Sequence, residues 1–173
     1  MIKHLFLIWG LLAALTAEPV LACTSAVVSG KVTPDGRPLL WKNRDTDFMR
    51  NHVDYVKGER YDFIAVVNSA NAYLKEAWMG TNSAGFALMN TQSYNLVDVK
   101  GDEERGAANG RVIYRALEVC ATVEDFCHFL DTISKPSDIE ANFGVIDAQG
   151  GAAMFEVDYY KYVMYDANNP KDA

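Results

Sequence analysis

Leu21-Ala22-Cys23-Thr24-Ser25 is the stretch on which the reading of this chain turns. Ahead of Cys23, residues 1–22 have the build of an export signal. Lys3 and His4 form a short basic start, residues 5–17 (LFLIWGLLAALTA) an apolar run, and Val20-Leu21-Ala22 the modest side chains that a signal peptidase reads. The run falls short of the roughly 20 apolar residues that cross a bilayer. A cut after Ala22 makes Cys23 the first residue of a single mature domain, residues 23–173. One residue then carries both a thiol and a free α-amine. These groups ordinarily titrate at about 8.5 and 7.7–8.0, so either can hand its proton to the other near neutral pH. The thiolate is the nucleophilic form, and a main-chain amine is a known activator of a covalent nucleophile.

Working outward, residues 24–32 read as a strand, with Val27, Val28 and Val32 supplying β-branched side chains. Thr33-Pro34-Asp35-Gly36 is a turn, and residues 38–44 (PLLWKNR) form the returning strand. Folding the hairpin about Pro34 and Asp35 brings Asp45 back to within a couple of residues of Cys23. Opposed residues in an antiparallel pair have Cβ atoms about 5 Å apart, so a carboxylate is expected beside the new N-terminus. Alternation puts Asp45 on the face of Leu39, Trp41 and Asn43, and Lys42 on the other with Leu40 and Arg44. Lys42 and Asp45 can both face Cys23 only if the strand twists or ends near Asn43.

The remainder alternates less regularly. Residues 46–60 are polar and read as a loop over the site; 61–68, 77–80 and 86–90 read as strands, with a turn at Asn82-Ser83-Ala84-Gly85. On the last of these, Asn90 ends an apolar face formed by Phe86 and Leu88. Residues 98–109 are charged and read as a surface connection. Residues 111–120 and 123–133 have helical spacing. Thr122-Val123-Glu124-Asp125 has the form of a capping box opening the second helix, and residues 134–137 (SKPS) break it. Residues 142–147 and 152–157 form a hairpin, followed by a strand at 159–165. Strands, two helices, then strands imply an α+β protein with antiparallel sheets in layers. Residues 166–170 (DANNP) resemble a turn into a further strand, so the domain is expected to be incomplete at its C-terminus.

The 173 residues carry a net charge of −7, and loss of residues 1–22 removes one base, Lys3, and one acid, Glu18. An acidic domain without a basic patch excludes nucleic acid as a partner, and no basic amphipathic stretch points to a membrane surface. His52 and His128 have no companions at ligand spacing, so neither a metal site nor a Cys–His dyad is expected. Cys120 and Cys127 would sit about 10 Å apart on one continuous helix, too far for a disulfide. A break at Thr122 would allow a bridge; otherwise they are two buried thiols.

Cys23-Thr24, then Asp35-Gly36, then Lys42-Asn43-Arg44-Asp45 resemble the opening of the cysteine N-terminal nucleophile (Ntn) hydrolases. The nearest branches are the choloylglycine hydrolase/penicillin V acylase group, isopenicillin N acyltransferase and the cysteine dipeptidases. Residues 80–86 (GTNSAGF) are similar to their Gly-x-Asn-x-x-Gly-Leu segment, and Met89-Asn90 to the oxyanion Asn that follows; residues 146–157 resemble a later hairpin. The resemblance runs over most of residues 23–170. It implies an αββα sandwich in which Cys23 is the nucleophile, Asp45 the family's Asp, and Asn90 the oxyanion donor. Lys42 stands where the bile-salt branch has Arg. Those families also use an Asn and an Arg from further along the chain, past the position matching Ala173. The implied activity is that of an exported amidohydrolase or acyltransferase, periplasmic or secreted. It would act without a cofactor on a small linear amide through an acyl-enzyme on Cys23, with homo-oligomerisation left open. A second reading stands beside it: Val20-Leu21-Ala22-Cys23 also fits a loose lipobox, and acylation of Cys23 would make the chain a lipid-anchored binding module. Taken singly, Asp45 reads as a turn residue, Asn90 as a strand-end amide, and Lys42 and Arg44 as solvated strand charges.

Overall fold

The computed structural model describes residues 23–93 and 108–172; the expected export signal and most of the 98–109 connection lie outside the described residues. The first two strands, β1 (Thr24–Val28) and β2 (Leu39–Asn43), pair antiparallel as a two-stranded ribbon, with Thr24 opposite Asn43 and Val28 opposite Leu39. The first strand is shorter than its β-branched residues suggest. Ser29 turns the chain by accepting the Lys31 N–H on its Oγ, and Gly30–Val32 coil into a single 3₁₀ turn.

A seven-stranded antiparallel sheet follows in chain order: β3 (Asn51–Val56), β4 (Phe63–Asn68), β5 (Met79–Asn82), β6 (Ala87–Gln92), β7 (Ala141–Ile146), β8 (Ala152–Val157) and β9 (Tyr162–Asp166). The expected loop at 46–60 is corrected here, because it contains the edge strand β3. Among the described residues that strand is partnered on one side only, and it keeps its side chains largely in solvent, so it lacks the apolar alternation by which buried strands are recognised. The last strand also begins later than expected. The Asp158 carboxylate accepts the N–H groups of Tyr160 and Lys161 and holds a turn there.

Two helices, α1 (Asn109–Val119) and α2 (Val123–Thr132), lie against one face of the large sheet. Thr122 opens α2 through a complete capping box: its Oγ1 accepts the Asp125 N–H at 3.0 Å, and Asp125 Oδ2 accepts the Thr122 N–H at 3.2 Å. Phe126 of α2 meets Phe86, Phe143 and Phe155 of the sheet with ring centroids 5.1–6.3 Å apart. That cluster, with Phe63, Leu88, Ile113, Leu117 and Leu130, is the core. Cys120, buried at the end of α1, and Cys127, half-buried on α2, are separate free thiols.

The ribbon packs on the opposite face, across β6, β7 and β8. The layers are therefore helices, a large antiparallel sheet, and a small second sheet. Among the described residues these are three of the four layers of an αββα sandwich, and the class is α+β with antiparallel sheets.

Two buried side chains tie the helices to sheet turns. Asn82 uses all four hydrogen-bonding positions of its amide: Oδ1 accepts from Ala84 N and Phe86 N at 3.1 Å, while Nδ2 donates to Leu117 O at 2.9 Å and Cys120 O at 2.7 Å. Asp147 accepts from Gln149 N and Gly151 N at 2.8 Å and from Val123 N at 2.9 Å. Its charge thus sits at the N-terminus of α2, where the helix dipole favours an anion.

The approach of the ribbon to the sheet is set at Gly144, which pairs with Met89. A Cβ on Gly144 would lie 2.3 Å from Met89 Cε, 2.9 Å from Leu40 Cδ1 and 3.0 Å from Val27 Cγ2. Only a missing side chain lets the two sheets meet there. We expect Gly144→Ala to lower unfolding free energy by about 1–3 kcal/mol, the usual cost of overpacking, and to reduce activity by displacing the ribbon. Urea denaturation checks the first; an unchanged midpoint would show that Met89 moves aside at no cost.

Candidate active site

Extending the ribbon register one pair beyond Thr24 and Asn43 puts Cys23 opposite Arg44 rather than Asp45. The offset is one residue, inside the couple of residues expected. The contact nevertheless falls on Asp45: its backbone N–H donates to Cys23 Sγ at 3.4 Å, and the thiol reaches the Asp45 carbonyl oxygen at 3.5 Å. The question of facing is answered by where β2 stops. It ends at Asn43, so the chain leaves strand geometry before Asp45 and alternation no longer binds it.

Cys23, Lys42, Asp45 and Asn90 line one cavity of about 270 Å³, together with Arg44, Trp78, Gln92 and residues 46–48. Cys23 stands just before β1, Lys42 near the end of β2, Asp45 two residues beyond it, and Asn90 on β6 just past the Met79–Met89 pair that closes the β5–β6 ladder. Asn90 is buried with Phe86 and Leu88, as the apolar run before it suggests, but Met89 and Thr91 are buried too. The strand is covered on both faces because the ribbon lies over the face that the helices leave open.

Lys42 is not a solvated strand charge. Its Nζ donates to the Trp78 carbonyl at 3.0 Å and to Asn90 Oδ1 at 3.1 Å, bridging the end of β5 to β6. Burial lowers its pKa from 10.5 to about 8; Cys23 acts against this and Arg44 adds to it. The Arg44 guanidinium donates to Asn51 Oδ1 and, at 2.9 Å, to Asn68 Oδ1, and lies 4.9 Å over the centre of the Trp78 ring. Burial draws its pKa down as well, again opposed by Cys23. Two basic side chains held by neutral oxygens thus line the cavity beside the thiol.

The site parts that sequence reading passed over are Trp78 and Gln92. Arg44, which taken singly reads as a solvated strand charge, lines the cavity instead. Trp78 enters through its carbonyl as well as its ring, and no residue-type signal marks a main-chain oxygen.

Comparison with solved structures finds this fold in a conjugated bile acid hydrolase. Two variants of conjugated bile acid hydrolase from Clostridium perfringens superpose with TM-scores of 0.58 and 0.59 at 14% identity, covering 85% and 83% of this chain and 51% of theirs. The chain thus spans about half the length of those enzymes. A penicillin V acylase from Agrobacterium tumefaciens aligns at 19% identity over 84% of this chain and 40% of its own, with a TM-score of 0.39, too low to read a shared fold from. A comparison with curated protein sequences finds no match. Residues 32–169 match the family described as acyl-coenzyme A:6-aminopenicillanic acid acyl-transferase, and the chain belongs to that family.

The depressed Lys42 pKa has a stability consequence with a definite sign. The unfolded chain keeps the lysine proton up to about 10.5, while the folded chain gives it up near 8. Between those values the unfolded state binds more protons, so folding stability rises with pH, and the penalty is fully present below about 8. Parent protein and Lys42→Met compared by urea denaturation between about pH 7.5 and pH 10 should diverge, the parent gaining stability relative to the variant. Parallel profiles would mean that Lys42 titrates normally.

Proposed function

We propose that this protein is an exported N-terminal-cysteine amidohydrolase or acyltransferase acting on a small linear amide. The observation that carries this reading is the meeting of Cys23, Lys42, Asp45 and Asn90 in one cavity, in a chain of an acyltransferase family. Export is supported by the basic start, apolar run and small residues of positions 1–22.

In this mechanism Cys23 Sγ attacks the amide carbonyl as a thiolate. Its proton passes to its own α-amine and from there to the leaving amine as the C–N bond breaks. The side-chain NH2 of Asn90 donates to the oxyanion of the tetrahedral intermediate, a contact whose loss costs roughly 100- to 1000-fold in turnover. The Asp45 carboxylate holds the ammonium in direction. Water, or an acceptor amine in the transferase case, then attacks the thioester and releases Cys23. The bile acid conjugates named for the structural neighbours are the first small-molecule amides to try.

Two changes test this together. Cys23→Ser should remove most of the turnover, because an alcohol is a far weaker nucleophile at neutral pH. One extra residue ahead of Cys23 should abolish it while leaving the thiol in place, because the primary amine is gone. Full activity of the extended protein would refute the amine's role. Intact mass of the exported form decides the anchored alternative, since a lipid adduct on Cys23 would rule out the enzyme.

A further inference from the structure

Asn90 can act on an oxyanion only if its NH2, and not its carbonyl oxygen, faces the cavity. The two ends of a side-chain amide have nearly the same shape, so packing alone hardly distinguishes them. Hydrogen bonding does. Lys42 Nζ lies 3.1 Å from Asn90 Oδ1. An ammonium has three donors and no acceptor, so it binds the oxygen end and turns the NH2 away from itself. Among the described residues no acceptor takes that NH2, and Asn90 lines the cavity beside Cys23.

The second contact of Lys42 matters equally. The Trp78 carbonyl oxygen is 3.0 Å from the same Nζ, so one nitrogen bridges the two oxygens. Remove the ammonium and both oxygens lose this donor. A half-turn of the Asn90 amide would relieve this, because its NH2 could then donate to the Trp78 carbonyl. That flip satisfies both buried groups and takes the oxyanion donor out of the cavity.

We infer that Lys42 is a positioning residue: by occupying the Trp78 carbonyl and Asn90 Oδ1 together, it locks the Asn90 amide with its NH2 toward the substrate. The inference rests on the proposed role of Asn90 in amide cleavage. It assigns the half-buried lysine a task other than contact with substrate.

The test is a double-mutant cycle on the full mature protein, with p-nitroanilides of acetate, phenylacetate and decanoate as probes. Lys42→Met and Asn90→Ala should each lower kcat about 100-fold with little change in KM. The double variant should be no worse than Asn90→Ala, since the lysine acts through the amide. Lys42→Arg, which keeps the donors, should recover part of the rate. Losses that multiply would overturn the inference. So would a fall in the rate of Cys23 alkylation by iodoacetamide as large as the fall in turnover, which would place the action of Lys42 on the thiol. A separate readout does not depend on catalysis. In Lys42→Met the Asn90 side-chain NH2 should gain protection from hydrogen exchange as it bonds Trp78, and unchanged exchange would refute the flip even if no probe is cleaved. Absence of p-nitroaniline release and of any acyl adduct on Cys23 in the parent protein would instead count against the enzyme reading itself.

Discussion

The docking of the β1–β2 ribbon on the large sheet is the constraint from which the site follows. Cys23, Lys42 and Asp45 come from the ribbon end, whereas Asn90 and the Trp78 carbonyl belong to the sheet. None of these groups can meet unless the two layers lie close. Gly144 permits that approach, with Val27 and Leu40 of the ribbon and Met89 of the sheet gathered over it. Lys42 then crosses the gap where the apolar packing ends. The same contact region thus supplies hydrophobic adhesion along most of its length and a polar cross-link at the cavity.

The helix layer is fixed by different means. Apolar burial around Phe126 holds α2 to the sheet, but burial is non-directional and does not set the angle of a helix. Direction comes from Asn82 and Asp147, each a buried polar side chain at a sheet turn that binds main-chain groups at a helix end. Asn82 lies in the Gly-Thr-Asn segment that resembles the family's. Its bonding explains that segment as architecture, leaving Asn90 as the amide with a group to spare for chemistry.

How much of this was legible depended on how local the determining interaction is. The ribbon register came within one residue because turn position and a two-residue period fix it. The capping box at Thr122 was readable because donor and acceptor are three residues apart. Strand β3 was missed because an edge strand with solvated side chains carries no apolar pattern. The facing of Lys42 and Asp45 stayed undecided because it depends on the end of β2, which alternation cannot locate. The carbonyl partners of Asn82 and Lys42 were out of reach altogether: they lie about 35 positions away in sequence, and main-chain oxygens have no signature in residue type.

The unequal surroundings of the three sulfurs bear on handling the protein in air. Burial pushes the Cys120 thiol up to about 12, and Cys127, beside Tyr162 and Met164, is also raised mainly by burial. Oxidation and mixed-disulfide formation proceed through the thiolate, so both helical sulfurs are poor partners for adventitious oxidants at neutral pH. Among the cysteines, ageing without reductant should therefore converge on the residue at the ribbon's start.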